Sequence, residues 1–156
     1  MKKNLLILMA FAAVGWVSCS KDDKTVQPTR TELISKSWKM SGLKMTMENV
    51  TYNLMDSLET CMADNLYIFS KDGTYKSEEG ATKCSESDPA TVESGSWLFT
   101  NNESKLQIKV ESWEFLTGSN AWDIVALNET QLSIKVVVPA QEGIPSFTVE
   151  LVFSAV

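Results

Sequence analysis

The chain has 156 residues, a formal net charge of −6 at pH 7 and no histidine. This length suits one domain, and the acidic balance argues against a nucleic-acid partner, which requires basic patches. Without histidine there can be no histidine general base, no Ser-His-Asp triad and no His-ligated zinc. We therefore expect a single non-catalytic domain with no cofactor.

The N-terminus, residues 1–18, has the pattern of an export signal. A positively charged start at Met1–Lys3 precedes an apolar run at Leu5–Val14 and a short segment that ends at Ser18. The run is too short to cross a membrane. The alternative, a buried N-terminal helix, would place the two lysines of the start against a core. Cleavage after Ser18 would remove those lysines and change the formal charge from −6 to −8.

The cleavage region resembles a bacterial lipobox, with Ser18 as the small residue before Cys19. The resemblance implies that Cys19 is lipidated and that residues 19–28 form a tether, since several acyl chains on one residue anchor a protein far better than one. Plain secretion is the alternative. Ser20–Asp23 resembles the surface-export signal of Bacteroidota lipoproteins, but it would also serve as a solvated tether. We expect a lipid-anchored protein of the outer membrane, exposed at the cell surface.

Two further cysteines, Cys61 and Cys84, are an even number in an exported chain and predict a disulfide bond. Closing a loop of this length stabilises a protein by roughly 3 kcal/mol on chain-entropy grounds. The alternative is a pair of metal ligands, but the spacing matches no zinc pattern.

Short segments separated by turns predict about eight strands. The apolar run Leu66–Phe69 and the segment Thr74–Lys76 flank Lys71–Gly73, where glycine allows the positive φ of a tight hairpin. Further strands are predicted at Trp38 to about Val50 or Tyr52 with a bulge at Gly42, at Trp97–Phe99, Leu106–Val110 with a possible extension over Ser112–Leu116, Ala121–Leu127, Gln131–Val138 and Ser146–Ala155.

Only short helices are expected in this chain. Thr29 or Thr31 can cap one that runs to about Lys36 and covers one end of the sheet, and Leu54–Met62 predicts a short helix or an ordered loop. Because no long helix separates the strands, the sheet should be antiparallel. A sheet of sequential hairpins avoids unpaired edge strands most simply when it closes into a barrel. We predict an all-β fold, an antiparallel up-and-down barrel over residues 29–156; a two-sheet sandwich is the alternative.

These features together resemble the lipocalin-like domains of exported Bacteroidota lipoproteins. The resemblance implies a cup that holds a small apolar or amphipathic molecule. It covers about Leu33 to Val156, and the residues that carry it are Leu33, Trp38, Cys61, Asp64, Asn65, Phe69, Asp72, Gly73, Thr74, Tyr75, Gly80, Cys84, Gly95 and Trp97.

Aromatic side chains on the predicted strands are the candidate ligand-binding residues. They would line an open cavity, or they would fill the interior of a small barrel. They are Tyr67, Phe69, Tyr75, Trp97, Phe99, Trp113 and Trp122.

Acidic residues of the long polar loop, Glu78, Glu79, Glu86 and Asp88, are candidate carboxylates, for which solvated charge is the ordinary explanation. Two functions remain open: a module that binds a small hydrophobic ligand, and an accessory protein with a filled barrel. The second would dock on an envelope protein or glycan through Ser77–Ala90 and Pro139–Pro145.

Overall fold

Eight antiparallel strands close into a barrel in the computed structural model, which describes residues 27–113 and 121–156. Consecutive strands are neighbours, and the first strand also pairs with the last, so the sheet has no open seam. The predicted barrel is confirmed and the sandwich is excluded. The closing strands are β1 (Ser37–Met47), β3 (Leu66–Phe69), β4 (Thr74–Glu78), β5 (Thr91–Thr100), β6 (Lys105–Lys109), β7 (Ala121–Leu127), β8 (Gln131–Val138) and β9 (Phe147–Ala155).

A ninth strand, β2 (Val50–Asn53), pairs only with the last part of β1. The prediction that the first strand continues to Val50 or Tyr52 was wrong, because the chain reverses at Glu48 and Asn49. These two residues have φ values of 49° and 66°, which a tight hairpin turn of this hand requires. The predicted bulge is confirmed, since the register of β1 against β9 shifts between Met40 and Gly42.

One end of the barrel, here called the closed end, is covered by the short helix α1 (Arg30–Ile34). Thr29 caps this helix: its hydroxyl accepts from the Glu32 amide, and the Glu32 carboxylate accepts from the Thr29 amide at 3.0 Å. This reciprocal pair satisfies two amides that the first helical turn leaves unbonded. The predicted capped helix is thus present.

Helix α1 and Lys36, the residue before β1, contact all three turns of the closed end. These short turns join β3 to β4, β5 to β6 and β7 to β8. The contacts are the ion pairs Glu32–Lys71 at 3.7 Å and Arg30–Glu103 at 3.9 Å, and the hydrogen bond from Lys36 Nζ to the Glu129 carbonyl at 2.9 Å.

The core lies between this helix and the middle of the barrel. Trp38 is fully buried and its indole donates to the Ile34 carbonyl at 2.9 Å, while the Trp97 indole donates to the Ser70 carbonyl at 2.9 Å. Both bonds satisfy a buried donor with backbone of the closed end. Phe69, Leu132 and other apolar side chains complete the cluster.

The opposite end, the open end, carries the long connections. Residues 54–65 hold a 3-10 turn at Met55–Ser57 and helix α2 (Thr60–Ala63); residues 79–90 and 139–146 are irregular except for short turns and one isolated bridge. A short helix or ordered loop had been predicted for Leu54–Met62. Residues 111–113 are helical rather than an extension of the sheet edge, and the rest of that predicted extension, 114–116, lies outside the described residues.

The predicted disulfide bond between Cys61 and Cys84 is confirmed, with Cα atoms 5.1 Å apart. It joins α2 to the 79–90 loop. Beside it, Gly80 packs so closely on Asp64 that a Cβ would overlap the Asp64 carbonyl oxygen, and the Thr82 amide donates to the Asp64 carboxylate at 2.9 Å. Glycine at position 80 is therefore a steric requirement of the clamp between the two loops.

Candidate functional site

A cavity of about 680 Å³ occupies the barrel interior at the open end. This volume lies in the range of about 300–1,000 Å³ that is typical of small-molecule sites. The loop residues Leu54, Leu58 and Met62 form part of its rim, together with Val92 on β5. The barrel interior is thus packed at one end and hollow at the other.

One wall of the cavity is apolar. It is formed by facing pairs of β1 and β9, in which Leu43 lies opposite Leu151 and Met45 lies opposite Val149. Met40 and Met62 add two unbranched thioether side chains, which adapt to the shape of what they contact better than branched residues do. This wall can bury an apolar molecule of variable outline.

The other wall carries a row of polar side chains on three neighbouring strands, here called the polar row. Tyr67 on β3 pairs with Ser77 on β4, and Ser77 pairs with Glu93 on β5. All three line the cavity. Because facing residues of antiparallel strands project to the same side of the sheet, their hydroxyl and carboxylate groups lie at one height in the barrel.

Glu93 is held by three neutral donors. Its Oε1 accepts from the Tyr75 hydroxyl at 3.2 Å and from the Trp113 indole at 3.1 Å, and its Oε2 accepts from the Ser112 hydroxyl. These bonds fix the carboxylate against the cavity and tie residues 112 and 113 across its edge. In the described chain no lysine or arginine forms an ion pair with Glu93.

The two tyrosines beside Glu93 are kept neutral by their surroundings. Burial, and next the negative charge of Glu93, raise the pKa of Tyr67 to about 12. The same two causes, in the same order, raise the pKa of Tyr75. Both phenols therefore remain hydrogen-bond donors at neutral pH, because a phenolate is disfavoured by low dielectric and by a nearby carboxylate.

The seven predicted aromatic residues fall into two groups. Tyr67, Trp113 and Trp122 line the cavity and form a chain of edge contacts, with centroids 6.4 Å apart for Tyr67–Trp113 and 5.2 Å apart for Trp113–Trp122. The other four lie below them in the core or against it and do not line the cavity: Phe69, Tyr75, Trp97 and Phe99.

Trp122 has an unused donor. The residue is 2% exposed, and its indole nitrogen has no hydrogen-bond partner within residues 27–113 and 121–156. This nitrogen is almost inaccessible even from the empty cavity, so it is an unpaired polar atom behind the cavity wall, and a buried donor without an acceptor costs free energy.

The carboxylates predicted in the 77–90 loop occupy different positions. Glu78 ends β4, and Glu79 and Asp88 line the cavity, where Asp88 accepts from the Ser85 amide at 2.7 Å in a local turn; Glu86 is exposed. Among described residues, the one metal-like grouping is Glu59 with Cys61 and Cys84. Its two sulfurs are bonded to each other, so neither is a thiolate that could bind a metal.

Glu93 was not among the predicted site residues. The strand predicted at Trp97–Phe99 was too short, because β5 begins at Thr91 and includes Glu93. The available signal was the alternation of Glu93, Gly95 and Trp97 on one face of β5. Gly95 lies between the other two on this face, and glycine is required there because a Cβ would overlap the Lys109 carbonyl oxygen on β6.

Comparison of the chain with protein-family models and with curated proteins finds no match. In the part of the chain that the structure describes, no helix has the length and apolar character needed to cross a membrane. Cys19 and the export signal lie outside the described residues.

Proposed function

We propose that this protein is a lipid-anchored binding protein that holds a small apolar or amphipathic molecule in the open end of its barrel. The observation that carries the proposal is the cavity of about 680 Å³, which is closed below by a packed core and has one apolar and one polar wall. Burying apolar surface supplies about 25 cal/mol per Å², and the preformed wall reduces the cost of ordering on binding.

Filling the cavity tests this function. Leu43→Trp places a large ring in the cavity from β1, whereas Lys44→Trp places the same ring on the exposed side of the same strand. A neutral fluorescent apolar probe such as N-phenyl-1-naphthylamine should bind the wild type and Lys44→Trp, and bind Leu43→Trp at least about tenfold more weakly. Equal binding by both variants would refute the cavity as the site.

Native mass spectrometry of protein purified from its own host tests whether the cavity carries a molecule in the cell. The proposal expects a bound mass that is lost in Leu43→Trp and kept in Lys44→Trp. A barrel that carries no added mass and takes up no probe would overturn it.

The proposed anchor and location rest on the sequence. Cys19 follows the small residue Ser18 at the end of the predicted export signal, and Ser20–Asp23 resembles the surface-export signal of Bacteroidota lipoproteins. Cys19→Ala should move the protein from the membrane fraction to the soluble fraction. Digestion of intact cells with an added protease should then distinguish the cell surface from the periplasmic face. Membrane retention of Cys19→Ala would contradict lipidation.

The second candidate function is docking on an envelope protein or glycan. The observation in its favour is a set of exposed apolar side chains on open-end segments: Val50, Tyr52, Met62, Val92 and Ile144. Crosslinking on intact cells tests it, with Val50→Ser and Ile144→Ser, which do not line the cavity, as variants that should abolish a crosslinked product. Crosslinks that survive both substitutions would count against these loops as the docking surface.

A further inference from the structure

The charge of the cavity distinguishes between classes of amphipathic ligand. Its acidic lining residues are Glu79, Asp88 and Glu93, and no lysine or arginine lines it within the described residues. The residues in the gap, 114–120, include Glu114 and no basic residue. The ammonium of Lys83 lies beside this lining but donates to the Asp88 carbonyl at 2.6 Å. A ligand with a carboxylate or phosphate would therefore meet mainly charge of its own sign, which costs free energy inside a low-dielectric cavity.

Glu93 has acceptor capacity left over. A carboxylate has about four lone-pair positions, and the three protein donors occupy two positions on Oε1 and one on Oε2. The donors are all neutral, so they leave the negative charge in place. The group that completes this site best is a positively charged donor, because hydrogen bonds between ionised partners are about twice as strong as neutral ones.

The aromatic rings near Glu93 would also favour a positively charged group. Trp113 both donates to Glu93 and lines the cavity, and Tyr67 and Trp122 line it on either side of Trp113. Aromatic faces attract ammonium groups within about 6 Å of the ring centre.

We propose that the ligand is an amphipathic cation, in which a protonated amine pairs with Glu93 and an apolar body packs on the β1–β9 wall. This inference rests on the proposed binding function and specifies its ligand class. The polar row then selects the head group of the ligand, and the methionine-rich wall accepts its apolar part.

A series of probes with one tail and different heads tests the proposal. Decylamine, decanol and decanoate share an apolar chain and carry a positive, a neutral and a negative head at neutral pH. Calorimetric titration of the purified full chain should show decylamine bound at least about tenfold tighter than decanol, because a hydrogen bond to a charged group is worth about 1.5–3 kcal/mol. Decanoate should bind most weakly.

The variant Glu93→Gln removes the charge and keeps an oxygen acceptor for Tyr75 and Trp113. It should lower the affinity for decylamine about tenfold and change that for decanol less than about threefold. The control is Glu86→Gln, which makes the same change of net charge on an exposed residue that does not line the cavity. Glu86→Gln should leave all three affinities unchanged.

The outcomes separate the two proposals. Equal affinity for decylamine and decanol in the wild type, or tighter binding of decanoate, would overturn the cationic ligand and leave the binding function standing. Binding of none of the three probes by folded wild-type protein would overturn both. The wild-type comparison does not depend on whether Glu93→Gln folds.

Discussion

The two ends of this barrel use the same strands in opposite ways. At the closed end, three short turns meet a capped helix and the indoles of Trp38 and Trp97 donate to backbone carbonyls, so that the interior is filled. At the open end, long loops clamped by a disulfide surround a cavity, and buried polarity is concentrated around Glu93. Apolar packing is therefore concentrated at the closed end, whereas the open end is held by a covalent clamp around a cavity.

The largest expected difference comes from matched leucine truncations at the two ends. Leu132 is 0% exposed in the closed-end core, whereas Leu43 faces the cavity. Leu132→Ala should lower the free energy of unfolding by about 2–5 kcal/mol, because it leaves a void that the packed surroundings cannot fill. Leu43→Ala should cost about 1 kcal/mol or less, since a partly hydrated side chain loses less on removal.

Urea denaturation of both variants measures this contrast. A cost for Leu43→Ala equal to that for Leu132→Ala would show that the open end is packed as tightly as the closed end, and the comparison would fail.

Removing the disulfide should lower global stability and, in addition, loosen the open end locally. The double variant Cys61→Ser/Cys84→Ser releases α2 from the 79–90 loop and should lower the free energy of unfolding by roughly 3 kcal/mol. Hydrogen exchange should accelerate in residues 54–65 and 79–90, beyond what global destabilisation explains. The control is the closed-end turn at residues 101–104, where hydrogen exchange should accelerate only as much as the loss of global stability requires. Equal acceleration in both regions would contradict a local clamp.

Alkaline pH should weaken the barrel through Tyr67, which lies where core and cavity meet. Its pKa is raised from about 10 to about 12 in the folded chain, so the unfolded chain loses this proton first. The stabilisation is complete below pH 10 and is lost as the pH rises toward 12, to a total on the order of 2 kcal/mol.

Phenolate absorbance and urea denaturation at a series of pH values measure this effect. The variant Tyr67→Phe should reduce the loss of stability between pH 10 and pH 12. An unchanged loss in that variant would show that Tyr67 is not its source.

The smallest effect is expected at the helix cap of the closed end. Thr29→Ala removes the hydroxyl that accepts from the Glu32 amide and should cost about 1 kcal/mol. Thr29→Ser keeps the acceptor and should be nearly neutral. Thermal unfolding resolves the two variants, and equal melting temperatures for them would contradict a role for the cap.

The closed end was largely predictable because its signals are local. Gly73 in the turn after β3, the Thr29–Glu32 pair and Trp38 all act within a few residues of their own positions. At the open end, the disulfide followed from the even number of cysteines in a chain that is predicted to be exported. The turn at Glu48 and Asn49 was missed, although asparagine tolerates a positive φ.

The cavity residues of the open end were harder to predict. Whether an inward-facing side chain lines the cavity or lies in the core depends on its height along the barrel axis. Alternation shows that Tyr67 and Phe69 both face inward, but it does not show which of them lies at the cavity and which lies in the core. That height follows from the tilt and stagger of the closed sheet. Glu93 was missed for a related reason, since a strand boundary shifted by a few residues moved it from an inward-facing position to a loop.

Helix α1 also determines which way the cup points. The chain enters the domain at Thr29, on the closed end, and residues 19–28 can span at most roughly 35 Å. If Cys19 carries the proposed lipid, the sealed base is the point of attachment, and a tether of this length leaves the mouth able to face the surrounding water. A molecule bound there could then exchange directly with solution.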